Sequence, residues 1–247
     1  MSLPGQSEVE RIRAAYRERD AVVAGSSAWL DPAYRLRMQE LEWALLESLR
    51  DAGVDPLGKS VLEVGCGGGY FLSRFLDYGA AQATGIDLME PRIEAARARD
   101  PRLALVAGDA SRLPWEEGSF DLVTQFTCLS SVLDADLRHA IAAEMWRVLR
   151  PGGAIVSYDM CEPPLAVRAL RRAAALRRGG VPPAGTPTTP ISSAELQRLF
   201  PAVPLAIGRV TLSTDIAGIT KRSRRATQAL GAVPFLRTHL LATARKS

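Results

Sequence analysis

The stretch VLEVGCGGGYF runs from Val61 to Phe71. Apolar residues flank one acid, Glu63, and glycine or cysteine then fills every position from 65 to 69. The apolar start reads as a buried strand. The glycines free the following backbone for left-handed dihedrals and for close approach to a ligand. A ligand loop directly after a strand is therefore expected, and the surrounding sequence should identify the ligand.

Downstream, strands and helices alternate. QATGIDL reads as a second strand and EPRIEAARARD as a helix. LALVAGDA and FDLVTQFT read as third and fourth strands. A helix near Asp136–Leu149 leads to a fifth strand in RPGGAIVSYD. Such alternation predicts parallel strands with crossover helices on both faces. IGRVTLST and THLLATARK read as two final strands with a helix between them, the last one antiparallel. Residues 160–195 break the pattern with a basic helical stretch, AVRALRRAAALRRGG, and a loop, VPPAGTPTTP. SSAELQRLF reads as a short capped helix.

Upstream, residues 7–24 read as a helix with Val9, Ile12 and Tyr16 on one face, Ser7 and Glu10 having capping-box spacing. A second helix is expected from Ala33 to Ala52, with Leu36, Leu41, Leu45 and Leu49 as core contacts and Gly53 as its stop. Four segments follow: a helical lid over 1–56, a ligand-binding core over 57–160, a substrate-side insertion over 161–195, and a completion of the sheet over 196–247.

The chain has 247 residues, 47% of them hydrophobic, enough for a substantial core. No window approaches the ~18 apolar residues of a membrane span. The opening is charged from Glu8 onward and does not read as a secretory signal. Cys66, Cys128 and Cys161 are odd in number and far apart, which points to a reducing cytoplasm rather than a disulfide framework. Their spacing is not that of a zinc site, and no metal is expected. Net charge is +4. Only Lys59, Lys221 and Lys246 of the 31 basic residues are lysine, an Arg bias typical of a GC-rich bacterial genome.

In an open parallel sheet, ligands bind at the carboxyl ends of the strands. A dinucleotide pattern G-x-G-x-x-G starting at Gly65 would need glycine at 70, where Tyr70 stands. Glu63 would repel a pyrophosphate but can hold an ammonium group. Asp87 ends the second strand and can accept both hydroxyls of a ribose. Asp109 ends the third and can accept from an adenine amino group. An amino-acid end, a free ribose and an adenine, without phosphate, describe S-adenosylmethionine.

The stretch from Val61 to Val156 resembles the class I S-adenosylmethionine-dependent methyltransferases, in particular the type-11 group of small bacterial enzymes. LEVGCGGG, GIDL, GDASRLPWEEGSFDLV and VLRPGGAIV carry the resemblance. It implies a Rossmann-like, seven-stranded, mostly parallel sheet with an antiparallel last strand. It implies that Gly65, Cys66 and Gly67 contact the methionine part through backbone, and that Glu63 helps hold its amino group. Asp87 would bind the ribose, with Leu88 on the adenine. Asp109 would bind the adenine amino group, with Gly108 and Ala110 beside it. Gln125 and Phe126 would face the methionine end. The product would be S-adenosylhomocysteine.

Many relatives carry histidine after the fourth strand, where this chain has CLSSVL. A base would have to come from elsewhere. His139 sits on a polar helix face. His239, near the start of the last strand, and Asp159, at the end of the fifth, are the catalytic candidates, and Tyr34 is a candidate lid residue. The expected reaction is methyl transfer to a small molecule, most plausibly a hydroxyl of a natural product or sugar in bacterial secondary metabolism. The oxygen is favoured over nitrogen as acceptor atom. An RNA methyltransferase using Arg168, Arg171, Arg172, Arg177 and Arg178 is the alternative. It lacks an appended RNA-binding module and an Asn-Pro-Pro-Tyr type motif. A non-catalytic cofactor-binding module is the third reading. A nicotinamide oxidoreductase is disfavoured by Tyr70 and Glu63.

Overall fold

The computed structural model describes residues 4–23, 30–165, 167–169, 172, 186–213, 216–217 and 223–247. Arg171, Arg177 and Arg178, with most of the basic stretch and the first half of the loop after it, lie outside these residues.

Seven strands form one sheet: β1 Ser60–Val64, β2 Gln82–Asp87, β3 Ala104–Ala107, β4 Phe120–Phe126, β5 Leu149–Met160, β6 Ala206–Leu212 and β7 Arg237–Arg245. Their order is β3-β2-β1-β4-β5-β7-β6. Strands β1 to β5 pair in parallel with one another, and β7 runs antiparallel between β5 and β6. The antiparallel last strand is as expected, and it pairs with β6 to form one edge of the sheet, with β6 outermost.

The chain moves outward from β1 to β2 and β3, then returns to the other side of β1 as β4. This reversal of strand order opens a crevice beyond the carboxyl ends of β1 and β4. β1 has both neighbours and is buried from Val61 to Val64, which explains why its sequence is nearly all apolar. The acid inside it therefore needs a special reason to be there.

The helices are α1 Pro4–Val23, α2 Pro32–Asp51, α3 Tyr70–Asp77, α4 Glu90–Arg99, α5 Ala135–Val148, α6 Ser193–Leu199 and α7 Arg224–Gly231. α1 begins at Pro4, so Ser7 lies within it and not at its cap. α2 is stopped upstream by Asp31, whose Oδ1 accepts from the Ala33 amide at 2.9 Å, with Pro32 at its first position. Its Leu41, Leu45 and Leu49 are buried as the spacing predicts. They pack with Val61, Phe71, Phe75 and Leu241 on one face of the sheet. On the other, α5 and α6 pack Ile141, Met145, Leu196 and Leu199 against β-strand residues such as Leu62 and Ile155.

Candidate functional site

The loop after β1 is built by its glycines and by β2. Gly65, Gly67 and Gly69 have φ of +70°, +50° and +69°. Gly69 is the N-cap of α3 in the left-handed conformation. The Gly65 and Cys66 amides donate to the Ile86 carbonyl at 2.8 and 3.1 Å. The Gly67 amide donates to Asp87 Oδ2 at 2.8 Å. These three N–H groups are thus spent inside the protein. A phosphate cradle needs such groups to point at the ligand, so the loop suits a cationic or neutral ligand part instead.

Glu63 is 4% exposed and faces the crevice. Its Oε2 is buried and has no hydrogen-bond partner among the described residues. Burial, and then the charge of Asp87, push its carboxyl well above the usual carboxylate range. A buried carboxyl oxygen left unpaired beside a second acid is costly. A ligand ammonium or amide donor would relieve it.

Asp87 ends β2 with Oδ1 accepting from the Met89 amide at 2.9 Å. Leu88 is half-buried beside it, and Gly108, Asp109 and Ala110 follow β3. Asp109 is exposed, and its Oδ1 accepts from the Ser111 amide at 2.9 Å. Phe126 ends β4 and stacks on Phe71 at 4.1 Å between ring centroids.

All of these residues line one cavity of about 570 Å³, a size typical of small-ligand sites. Glu63, Gly65, Cys66, Gly67, Asp87, Leu88, Gly108, Asp109, Ala110 and Phe126 share it with Tyr34 and His239. Val9, Ile12 and Tyr16 of α1 and Arg37, Met38 and Leu41 of α2 form further parts of its wall. The two N-terminal helices therefore cover the site.

Gln125 and Asp159 lie behind this wall. Gln125 is fully buried, and its Oε1 accepts from the Cys128 amide at 2.9 Å. Its Nε2 donates to Ser157 Oγ and to Asp159 Oδ2. Asp159, also fully buried, accepts from the Ser130 amide at 2.9 Å. Burial pushes its carboxyl up to about 6 against these hydrogen bonds. The pair acts as an internal clamp on the loop after β4, rather than facing the cavity. A strand-end position alone does not reveal on which side of the sheet such a side chain turns.

Several groups were not legible in the sequence. Arg92 of α4 donates to Asp20 of α1 at 2.9 Å and lies 4.4 Å from the Tyr16 ring centroid. The Tyr16 hydroxyl is 2.9 Å from Ser131 Oγ. These contacts tie α1 over the crevice, and only the shared face of Val9, Ile12 and Tyr16 hinted at them. Thr127, in the wall, and Thr211 are β-branched residues with φ of +61° and +55°. Such strain costs of order 1–3 kcal/mol and tends to cluster at functional sites.

His239 is 5% exposed, near the start of β7, opposite Met160 of β5 and Val210 of β6. Its ring stacks on Tyr158, 4.8 Å away and 7° from parallel. His139 is exposed on α5, with Nδ1 2.8 Å from the Ala135 carbonyl. Arg168 is paired with Glu162 at 3.5 Å on the surface, and Arg172 is exposed. Among the described residues, no group of three or more His, Cys, Asp or Glu could hold a metal ion. No helix among them is long and apolar enough to cross a membrane.

Residues 62–157 match the family described as "Methyltransferase domain". A demethylmenaquinone methyltransferase of Beutenbergia cavernae is 35% identical over 148 residues, 58% of this chain and 60% of that protein. A phthiotriol/phenolphthiotriol dimycocerosates methyltransferase of Mycobacterium tuberculosis is 40% identical over 111 residues, 40% of this chain and 37% of that protein. The chain thus spans less than two thirds of the length of either. Among solved structures, magnesium protoporphyrin IX methyltransferase from Synechocystis, with bound S-adenosylhomocysteine, shares the fold with a TM-score of 0.62 and 16% identity. That likeness covers 98% of this chain and 95% of that one. The segment 62–157 thus matches the methyltransferase domain family, and the strand order is that of the class I, S-adenosylmethionine-dependent methyltransferase fold.

Proposed function

We propose that the chain is an enzyme that transfers the methyl group of S-adenosylmethionine to a small-molecule acceptor, with a hydroxyl oxygen of a natural product or sugar as the acceptor atom. The observation that carries the reading is the buried Glu63 carboxyl, whose Oε2 has no hydrogen-bond partner among the described residues, in the same cavity as Asp87 and Asp109. In this reading Glu63 receives the ammonium end of the cofactor, Asp87 the ribose hydroxyls and Asp109 the adenine amino group. Leu88 covers the adenine, and Phe126, braced by Phe71, borders the methionine end. The residues present fit the group: a buried carboxyl oxygen without a partner among the described residues suits a cation, and a loop whose Gly65, Cys66 and Gly67 amides are spent inside the protein suits a ligand without phosphate there.

The cofactor supplies a methyl carbon on a positively charged sulfur, whose bonding pair stays with sulfur when a lone pair of the acceptor displaces it in line. The protein's part is alignment and exclusion of water, which can be worth several kcal/mol. α1 and α2 close the cavity from above, with Tyr34 among its walls. His239, at the edge nearest β5 and β6, is the group proposed to contact the acceptor. Asp159 then acts indirectly, by holding the loop of Ser130. The size and partial enclosure of the cavity favour a small molecule over RNA, and a cytoplasmic setting belongs to the same proposal.

The test is transfer of label from methyl-labelled cofactor into a bacterial extract, with and without nuclease. Label in an organic-soluble, nuclease-resistant compound supports the proposal. Label that disappears with nuclease would replace it by RNA methylation. Absence of calorimetric binding of S-adenosylhomocysteine would remove the cofactor reading itself.

A further inference from the structure

The cavity has two halves, one on either side of the point where strand order reverses. Glu63, Asp87 and Asp109 stand at or just beyond the ends of β1, β2 and β3. β4, β5 and β7 lie on the other side and bring Phe126, Tyr158 and His239 to the same cavity. α2 adds Tyr34, and α3 adds Tyr70 and Phe71. Phe126 stacks on Phe71, 4.1 Å between centroids and 26° from parallel, and lies 6.4 Å from Tyr158. Tyr70 meets Phe71 edge-on at 5.0 Å, and Tyr158 stacks on His239 at 4.8 Å. Ring contacts thus run unbroken from α3 to β7. Phe, Trp and Tyr make up 6% of the chain, so their gathering in one half of one cavity is selective.

The polar chemistry of the halves differs as well. Among the described lining residues the acids are Glu63, Asp87 and Asp109, all on the β1–β3 side. The described lining from α2, α3, β4, β5 and β7 includes no carboxylate and no carboxamide, and Met38, Leu41 and Met160 stand beside the rings. A sugar presents adjacent hydroxyls on a puckered ring, and carboxylate or amide oxygens hold such diols, as they do a ribose. A flat ring system needs little of that, because stacked and edge-on contact with aromatic side chains supplies its binding. Basicity points the same way. At neutral pH the strongest base that these lining residues offer is the His239 imidazole, since Asp159 is turned behind the wall. An imidazolium ordinarily loses its proton near about 6.5 and a phenol near about 10. A sugar hydroxyl is far less acidic and lies further from the reach of such a base.

We infer that the β4–β5–β7 half of the cavity is the acceptor subsite and that it selects a flat aromatic ring carrying the hydroxyl, a phenol and not a sugar, with Phe126 and Tyr34 setting this specificity. The inference rests on the methyl-transfer reading above for the division of the cavity, and narrows the acceptor within it. Phe126 and Tyr34 are half-buried, so each keeps ring surface that its neighbours leave uncovered. Tyr158, Phe71 and His239 are 2%, 4% and 5% exposed and form the backing that fixes the tilt of Phe126. Phe126 follows β1's neighbour β4 to its end, where the two halves meet, and so joins the acceptor subsite to the methionine end.

The test compares three probes: 2-naphthol as the flat ring, decahydro-2-naphthol as its saturated counterpart, and methyl α-glucoside as the sugar. Ligand-observed NMR titrations are run on the full chain with and without saturating S-adenosylhomocysteine. 2-Naphthol should bind about tenfold more tightly than decahydro-2-naphthol, the effect of one or two aromatic contacts. Methyl α-glucoside should not displace it. F126L and Y34L keep apolar bulk but remove a ring, and each should cut the preference to about threefold or less. Equal affinity of wild type for the flat and saturated probes, no binding of 2-naphthol, or its displacement by the glucoside would overturn the inference, whether or not the variants fold. An unchanged preference in folded F126L and Y34L would overturn the role of these two rings. Wild type that binds S-adenosylhomocysteine but shows no preference sinks this inference alone. Wild type that binds no S-adenosylhomocysteine sinks the methyl-transfer reading, on a separate measurement.

Discussion

The Asp87 carboxylate is bonded to the glycine loop it faces: its Oδ2 accepts from the Gly67 amide at 2.8 Å, joining the end of β2 to the loop after β1. One acid therefore shapes the loop and lines the cavity. Asp87→Ala should cost both, weakening S-adenosylhomocysteine binding by about 1–3 kcal/mol, or roughly 5- to 150-fold. Asp87→Asn keeps one acceptor oxygen and should fall between alanine and wild type. Calorimetry on the three proteins checks this; equal affinity in all of them would remove Asp87 from the cofactor site.

Glu63 gives a prediction whose sign depends on pH. Burial, then Asp87, raise its folded value above the ordinary carboxylate value, about 4.3 in the unfolded chain. Below that value both states hold the proton and the group is neutral to stability. As pH rises, the unfolded state loses its proton first and is favoured, so Glu63 costs stability at neutral pH. Glu63→Gln should raise the unfolding temperature of the ligand-free protein at pH 8, with the gain shrinking toward zero near pH 4. The same variant should bind S-adenosylhomocysteine about tenfold more weakly, through loss of the charged partner of the ammonium. A variant less stable than wild type at pH 8 would show that the acid is paired after all.

The parts of this fold that were legible in the sequence are those written by local chemistry. The apolar run at Val61, the glycines at 65 to 69 and the acids at strand ends specify a loop and bring three acids to one cavity without reference to distant residues. The helices' apolar spacing likewise fixed Leu41, Leu45 and Leu49 as core. What depends on side-chain direction across the sheet was not legible. Gln125 precedes Phe126 by one residue, and a one-residue step along a strand reverses the face. Phe126 enters the cavity and Gln125 turns to Asp159. The amides of the glycine loop were expected to approach the ligand, yet they donate to Ile86 and Asp87 because β2 lies alongside. Thr211 could not be singled out either, because its backbone angle follows from packing between β6 and β7.

Gly65 is a position where the absent side chain matters. A Cβ there would sit 2.7 Å from both Cβ and Sγ of Cys128, and φ is +70°. Gly65→Ala should destabilise by about 2–4 kcal/mol from overpacking and backbone strain together. The companion change Cys128→Ala removes the sulfur but leaves the opposing Cβ, so the double variant should recover only part of the loss. Urea unfolding of the single and double variants measures it. Full recovery would mean that the clash, and not the left-handed backbone, carries the cost.

Asp159 tests the clamp behind the cavity. Its two oxygens take the Ser130 amide and Gln125 Nε2, while Gln125 Oε1 is held by the Cys128 amide. Gln125 therefore cannot turn its amide over without losing that bond. Asp159→Asn would set an Nδ2 donor against either the Ser130 amide or the Gln125 donor. It should destabilise by about 2–4 kcal/mol, far more than its small change in shape suggests. Asp159→Asn combined with Gln125→Glu restores one donor facing one acceptor at that contact. It leaves the Cys128 amide an acceptor as well, and should recover stability relative to the single variant. A double-mutant cycle on denaturant midpoints checks the coupling.

The last prediction concerns how α1 is held over the site. Glu8 is 8% exposed, accepts from the Leu133 amide at 2.6 Å and pairs with Arg11 at 2.7 Å. Arg11 in turn donates to the Ser131 carbonyl at 2.8 Å. The Arg11 hydrogen bond is the main reason the Glu8 carboxyl lies below its usual value, against an opposing cost of burial. A lowered folded value contributes stability above the ordinary carboxylate value, and that contribution is lost as pH falls through the folded one. Glu8→Ala should therefore loosen α1 at neutral pH, by about 1–2 kcal/mol for the lost hydrogen bonds, while the sheet stays folded. Limited trypsin digestion should cut faster after Arg11 or Arg13 in the variant. Bound S-adenosylhomocysteine should slow that cleavage in wild type, because Val9, Ile12 and Tyr16 border the same cavity. Equal cleavage rates with and without ligand would separate α1 from the cofactor site and leave the cover to α2 alone.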